Sequence, residues 1–303
     1  MRVGQPGRSH PHPDPLPQAG EGDKSAAATS LDHVGLVGPD AAILHAEFEH
    51  LGFQLTPLSR QSGRLRADGP IEPWGTANRC AMLRQGYLEL LAIVDGALPA
   101  NGLDRFLARY AGMHILALSI DNEEAALDRL RRAGIDLPGV LHLERQVDQA
   151  DPASPIARFA RLPLPDAPEG RIQLIRHLTP EAIWQERWLE HANRATALEA
   201  TILAVEHPAE TAARLSRLAG RPVIPDPAGG FALELGHGSV RILGPDTLGA
   251  VLPDLVPPVL PFMAGLVVRT ADEARAVRGL ASGLVRVPSG WMARAGGTAI
   301  VFC

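Results

Sequence analysis

The chain has 303 residues, 46% of them hydrophobic, and a formal net charge of −5. That length fits about two domains with a sizeable core, and the mild charge, with basic and acidic residues interspersed, excludes the clustered positive face of a nucleic-acid binder. Cys80 and Cys303 are the only cysteines and have no CxxC partner, which excludes a disulfide framework and fits a reducing cytoplasm.

Residues 1–27 are rich in Pro, Gly, His and charge and have no apolar h-region. They are expected to be disordered rather than to form a signal peptide. The run from His10 to Gly22 looks like the translation of a bacterial intergenic repeat, so the native start is expected downstream of it.

From residue 28 onward four units follow one another. Each opens on a short apolar run with strand character: His33–Val37, His114–Ile120, Thr201–Val205 and Met263–Val268. A helix-period pattern follows in each, over Asp40–Leu51, Asn122–Ala133, Pro208–Ala219 and Ala271–Leu280. A glycine ends each helix, at Gly52, Gly134, Gly220 and Gly283, where a left-handed residue is expected. The spacing from strand position to glycine is nearly constant: 19 residues from His33 and Thr201, 20 from His114 and Met263.

Each unit then closes on a glycine-led strand: Gly86–Glu89, Gly170–Gln173, Gly238–Arg241 and Gly297–Ile300. The pattern predicts βαβββ four times, an α+β fold, with a strand shortened or lost in each of the last two units. Residues 97–112 link the first two units. Residues 178–197 form a helical connector with Thr179 as cap and Pro180 at N1, and a proline-dense stretch, 245–261, divides the last two. The most apolar segment, Leu248–Val268, holds Asp254 and four prolines, so it does not read as a membrane span.

The first two units repeat one chemical pattern, a histidine early in an apolar strand and a polar residue three positions after a glycine in a later one. If the units are symmetry-related, His33, Glu89, His114 and Gln173 converge on one divalent metal. Two imidazoles, a carboxylate and an amide oxygen suit Fe, Mn, Co, Ni or Zn and leave positions open for substrate. Such an ion polarises a carbonyl, stabilises an enediolate or binds dioxygen, so the ligands alone do not select the reaction. Taken singly, a histidine at a strand start is more often a hydrogen-bonded core residue. Gln173 reads equally well as a strand amide bonding backbone. Glu89 carries most weight, since a carboxylate between Leu88 and Leu90 is costly to bury without a cation. Asn78 and Arg79 are candidates for substrate contacts, or else a turn amide and a solvated charge. His177 shares strand parity with Gln173 and either caps the connector or lines the pocket mouth.

Leu31-Asp32-His33-Val34-Gly35-Leu36-Val37, Trp74–Leu83 leading into Tyr87-Leu88-Glu89-Leu90, and His177–Trp184 with His191-Ala192-Asn193 resemble the vicinal oxygen chelate superfamily in its glyoxalase-like branch. The resemblance implies tandem βαβββ modules paired into curled mixed-sheet half-barrels, the glyoxalase/dioxygenase-like fold. It implies a metal-bearing domain over 28–177 and a degenerate, metal-free one over 198–303. It further implies a lyase, isomerase or extradiol-type dioxygenase acting on a small oxygen-bearing substrate, with Glu89 as ligand and catalytic base, because Gln173 cannot accept a proton. The alternative is a non-catalytic binding protein of the bleomycin-resistance type. A third reading is a module that mediates association, with a homodimer as its form. No nucleic-acid or membrane partner is expected.

Overall fold

A computed structural model describes residues 26–64, 69–148, 151, 153–162, 164–165, 167–273 and 283–303. The first module comprises β1 (Ala28–Gly38), α1 (Ala41–His50), β2 (Ser59–Arg64), β3 (Ile71–Met82) and β4 (Tyr87–Ile93). After α2 (Leu103–Leu107), the second comprises β5 (Gly112–Ile120), α3 (Glu123–Arg132), β6 (Leu141–Gln146), β7 (Ile156–Leu162) and β8 (Arg171–His177). After α4 (Pro180–Ile183), the third comprises β9 (Ala195–Ala204), α5 (Pro208–Ala219), β10 (Val223–Pro225), β11 (Phe231–Glu234) and β12 (Ser239–Leu243). After α6 (Pro245–Val251), the fourth comprises β13 (Phe262–Thr270), β14 (Val285–Val287), β15 (Gly290–Ala295) and β16 (Thr298–Phe302).

Local chemistry sets these boundaries. Asp40 and Asn122 precede α1 and α3 in extended conformation, and each side chain accepts the amide N–H three residues on. The four closing glycines all have positive φ, between 67° and 87°, where a Cβ would be strained. On α1, Leu44 and Phe48 are one turn apart and buried with Val34 and Leu36 of β1. Each such side chain contributes about 1.5–3 kcal/mol by burial. The helix expected over 271–280 lies mostly outside the described residues, as does the N-terminal segment through residue 25. Ala26 and Ala27, expected in the disordered segment, are buried, and the Ala26 carbonyl accepts from Arg129 Nε. The last two modules keep all their strands, with β10 and β14 shortened to three residues each.

In every module the first strand pairs in parallel with the last: β1 with β4, β5 with β8, β9 with β12, β13 with β16. The modules join in twos by antiparallel pairing of first strands, β1 with β5 and β9 with β13. β5 and β13 touch at Met113 and Met263, linking the two halves into one 16-stranded sheet.

The one-residue difference in the sequence spacing has a structural cause. Gly35 pairs with Ile115 and Leu36 with Met113, so His114 is the extra residue of a β-bulge. In the other half Ala264 is skipped in the same way between Met263 and Gly265. Counting back seven residues from the equivalent caps, Asp40 and Asn122, gives His33 in β1 and Ile115 in β5. His114 is therefore not the counterpart of His33. The counterparts Glu89 and Gln173 do match, since they pair with Gly35 and Ala117.

The connector is not a continuous helix. It holds α4, a 3-10 turn over Glu186–Trp188 and irregular backbone, and β9 already begins at Ala195. Thr179 and Pro180 start α4 as expected, but the Thr179 hydroxyl bonds Ile156 O and accepts from Arg158 N instead of capping the helix. The connector covers the first half-barrel. Ile183, Leu189, Trp184 and Trp188 pack on Cys80, Met82 and Phe159. From the other end α2 inserts Leu103 and Phe106 against Val37, Leu91 and Ile115. The second half-barrel is filled by Leu248 and Val251 of α6.

Candidate functional site

On β1 a bulge at Asp32 interrupts the pairing with β5, and it turns Asp32 and His33 toward the same side. Asp32 Oδ1 lies 2.7 Å from His33 Nδ1 and 3.1 Å from His177 Nε2 on β8. Ser119 of β5 donates its hydroxyl to Asp32 Oδ2 at 2.5 Å. Three strands thus meet on one carboxylate that is only 3% exposed. Burial alone would raise its pKa, but hydrogen bonds from His177 and then His33, with their coulombic effects, hold it well below the usual carboxylate range. The ring of His33 stacks on Tyr87 at 4.4 Å, and His177 meets Trp184 edge-on at 4.8 Å.

Beside this cluster opens a cleft of about 550 Å³ whose wall includes Asp32, Ser119, His177 and Trp184. It sits where modules one, two and three meet, since Thr29, Ser30 and His237 also line it. Trp184 is fixed there by Nε1 donating to Leu83 O at 3.0 Å. An aspartate that orients imidazoles, a hydroxyl and an aromatic wall at a cleft form a set able to bind a small molecule and exchange protons with it.

The expected metal set does not assemble. His114 sits in its bulge between the rings of Phe106 and Tyr110, at 5.0 and 3.9 Å, with Nε2 donating to Tyr110 O at 2.8 Å. Burial pushes its pKa down to about 4, the bond to Tyr110 opposing and Arg109 assisting. Glu89 accepts from the Asn78 amide. Glu89 is partly exposed, and the space lined by its neighbours Asn78, Cys80 and Tyr87 with Trp188 is only about 20 Å³. Gln173 lines a different cavity of about 280 Å³ with Arg161, Arg171 and Asn101.

These placements do not fit a divalent ion. Ile115 holds the position that mirrors His33, His114 is bonded to Tyr110 O, and no group of three or more His, Cys, Asp or Glu among the described residues is arranged to hold a metal. Two of the three suggested substrate contacts, Asn78 and Arg79, are structural. Asn78 is buried against Glu89, while Arg79 points to the opposite face, bonding Thr56 O and Leu55 O and pairing with Glu49 of α1. His177 is the one suggested substrate contact that lines the large cleft.

Asp32, Ser119 and His237 were not legible as site residues, and Trp184, one of four tryptophans able to wall a cavity, read more readily as core filling. For Asp32 a signal existed: a carboxylate inside an apolar strand must find donors. For His237 the sequence carries none.

Paired βαβββ modules with parallel first and last strands define a vicinal oxygen chelate fold. The model of the glyoxalase-like domain family matches residues 31–219, well over half the chain, and the chain belongs to that family. No curated protein matches it in sequence. Among solved structures it is similar to a hypothetical protein from Staphylococcus aureus, with a TM-score of 0.62 at 12% identity over 90% of this chain and 98% of that one. It is also similar to a mutant of 4-hydroxymandelate synthase from Streptomyces coelicolor, with a TM-score of 0.51 at 15% identity over 87% and 78%. A xylose isomerase-like TIM barrel/4-hydroxyphenylpyruvate dioxygenase fusion protein gives 0.50 at 15% identity, over 86% of this chain and 40% of that one. At such identities the likeness is one of fold. No helix among the described residues is long and apolar enough to cross a membrane.

Proposed function

We propose that the chain is a glyoxalase-like lyase or isomerase that moves a proton on a small oxygen-bearing substrate in the cleft beside Asp32. The observation that carries this is one buried carboxylate at the cleft wall, shared by His177 and Ser119, which line the cleft with it, and by the buried His33. Asp32 orients both imidazoles and stabilises the charge that His177, the one of the two lining the cleft, gains on taking a proton. In the neutral ring, donation from Nε2 to Asp32 leaves Nδ1 of His177 as a proton acceptor. No step here is routed through a metal, because the side chains present do not form a site for one.

The test is solvent exchange. Small α-hydroxy ketones and aldehydes incubated with the protein in D2O are expected to gain deuterium at the carbon beside the carbonyl. The His177→Ala and Asp32→Asn variants should slow this by about 100-fold or more while keeping native circular dichroism. Exchange that persists in both variants would falsify the assignment.

A second reading, binding without turnover, draws on the filling of the half-barrel interior by α2 and the connector. Saturable binding of these compounds with no exchange in any of them would favour it.

A further inference from the structure

The C-terminal half contributes a side chain to the cleft. The turn between β11 and β12 is fastened along β1: Leu31 N donates to His237 O and Gly236 N to Thr29 O, each at 2.8 Å. Gly238 permits the approach, since its φ is +74° and a Cβ there would come within 2.7 Å of Leu31 Cβ. Backbone bonds thus hold His237 against the cleft, and its side chain is not needed to hold the turn.

Two histidines lining this cleft each carry a buried imidazole nitrogen without a hydrogen-bond partner, Nδ1 of His177 and Nε2 of His237. Unsatisfied buried polar atoms cost about 1–3 kcal/mol each, so they mark places where a ligand group can be received. Charge narrows the ligand class. Of the two arginines lining the cleft, Arg84 is paired with Glu190 and Glu186, and Arg176 with Glu123. Asp32 is already bonded to three donors, and Asp121 adds a further negative charge to the rim. Nothing in this lining selects an anion. Trp184 offers a flat apolar wall next to His177, the combination that suits the C–H face and hydroxyl edge of a polyol.

We infer that the cleft takes an uncharged, hydroxyl-rich small molecule, a polyol or sugar, held between His177 of the first half and His237 of the second. This rests on the reading of the cleft as the working site and adds its ligand class and a specificity residue. Hydroxyl groups of the ligand donate to the open imidazole nitrogens, while its carbon skeleton lies on Trp184.

The experiment is an NMR titration of the full chain with glycerol, dihydroxyacetone and D-glucose, set against glycerate, dihydroxyacetone phosphate and gluconate. Imidazole ¹⁵N shifts of His177 and His237 are the readout. At least one neutral probe is expected to bind and move both rings, with affinity falling about tenfold in His237→Ala and recovering in part in His237→Gln. The inference is overturned if no neutral probe binds, if the anionic counterparts bind more tightly, or if His237→Ala leaves binding unchanged.

Its failure is separable from that of the proposed reaction. Exchange that depends on His177 but is indifferent to His237→Ala in both kcat and KM removes the inference and leaves the reaction. Binding that moves both rings with no exchange does the reverse.

Discussion

Gly35 faces Ile115 across the β1–β5 pair so closely that a Cβ on Gly35 would lie 2.8 Å from the Ile115 Cβ. The contact lies beside the pseudo-twofold axis relating the first two modules, and Ile115 holds the place that mirrors His33. Gly35→Ala is expected to cost about 1–3 kcal/mol through overpacking. Combining it with Ile115→Ala should cost clearly less than the sum of the single losses. A double-mutant cycle by urea denaturation measures this, and strictly additive losses would contradict the contact.

The Asp32 carboxyl has a lower pKa folded than its ordinary value of 3.8, because hydrogen bonds from His177 and His33 outweigh the opposing effect of burial. Its stabilising contribution is therefore fully present above that ordinary value and is lost as pH falls below it toward the depressed folded one. Asp32→Asn should destabilise the protein at pH 7 by about 2–3 kcal/mol, since the buried donors lose a charged acceptor. It should also flatten the loss of stability in the most acidic range. Denaturation midpoints of both proteins from neutral pH downward decide the matter, and parallel curves would count against the assignment.

Three buried histidines give a second acid sensitivity, at higher pH. Burial lowers the pKa of His45, His114 and His191, in His114 from 6.5 to about 4. The unfolded chain takes up protons that the folded protein refuses, so stability is full above 6.5 and declines as pH falls from there toward 4. For His114, which is 0% exposed, the loss amounts to about 3 kcal/mol across that interval. His114→Phe keeps the stack on Phe106 and Tyr110 and should remove this part of the slope. An unchanged slope would show that His114 protonates freely in the folded state.

Metal dependence is the point on which sequence reading and side-chain placement diverge most. With His114 bonded to Tyr110 and Glu89 to Asn78, dialysis against a chelator should move the melting temperature by less than about 1 °C, the sign that no tightly bound ion contributes to stability. Elemental analysis of untagged protein provides the independent check. Stoichiometric metal that disappears in Glu89→Ala would overturn the placement.

The fold was legible because its signals are local and repeated. Asp40 and Asn122 as caps, the closing glycines and the apolar faces of α1 and α3 each act within a few residues. The candidate site was legible only in part. His33 and His177 could be picked out as polar groups in apolar strands, yet His33 was matched to the wrong residue. A bulge adds one residue to β5, and in a strand one residue changes which face a side chain takes. The 19- and 20-residue spacings held that information, but a spacing does not say where the extra residue is accommodated.

The sequence by itself determined the order of four strand-rich modules, with βαβββ order in the first three, because periodicity, caps and turn residues are properties of neighbouring residues, and the resemblance of its strand motifs gave the family. Tertiary structure alone decided that Asp32 meets His177 across 145 positions, that His237 reaches the same cleft, and that α2 and the connector pack on the strands of the first half-barrel. Those outcomes depend on the register between distant strands and on which connecting segment occupies the space they enclose. Both are set by packing over the whole molecule.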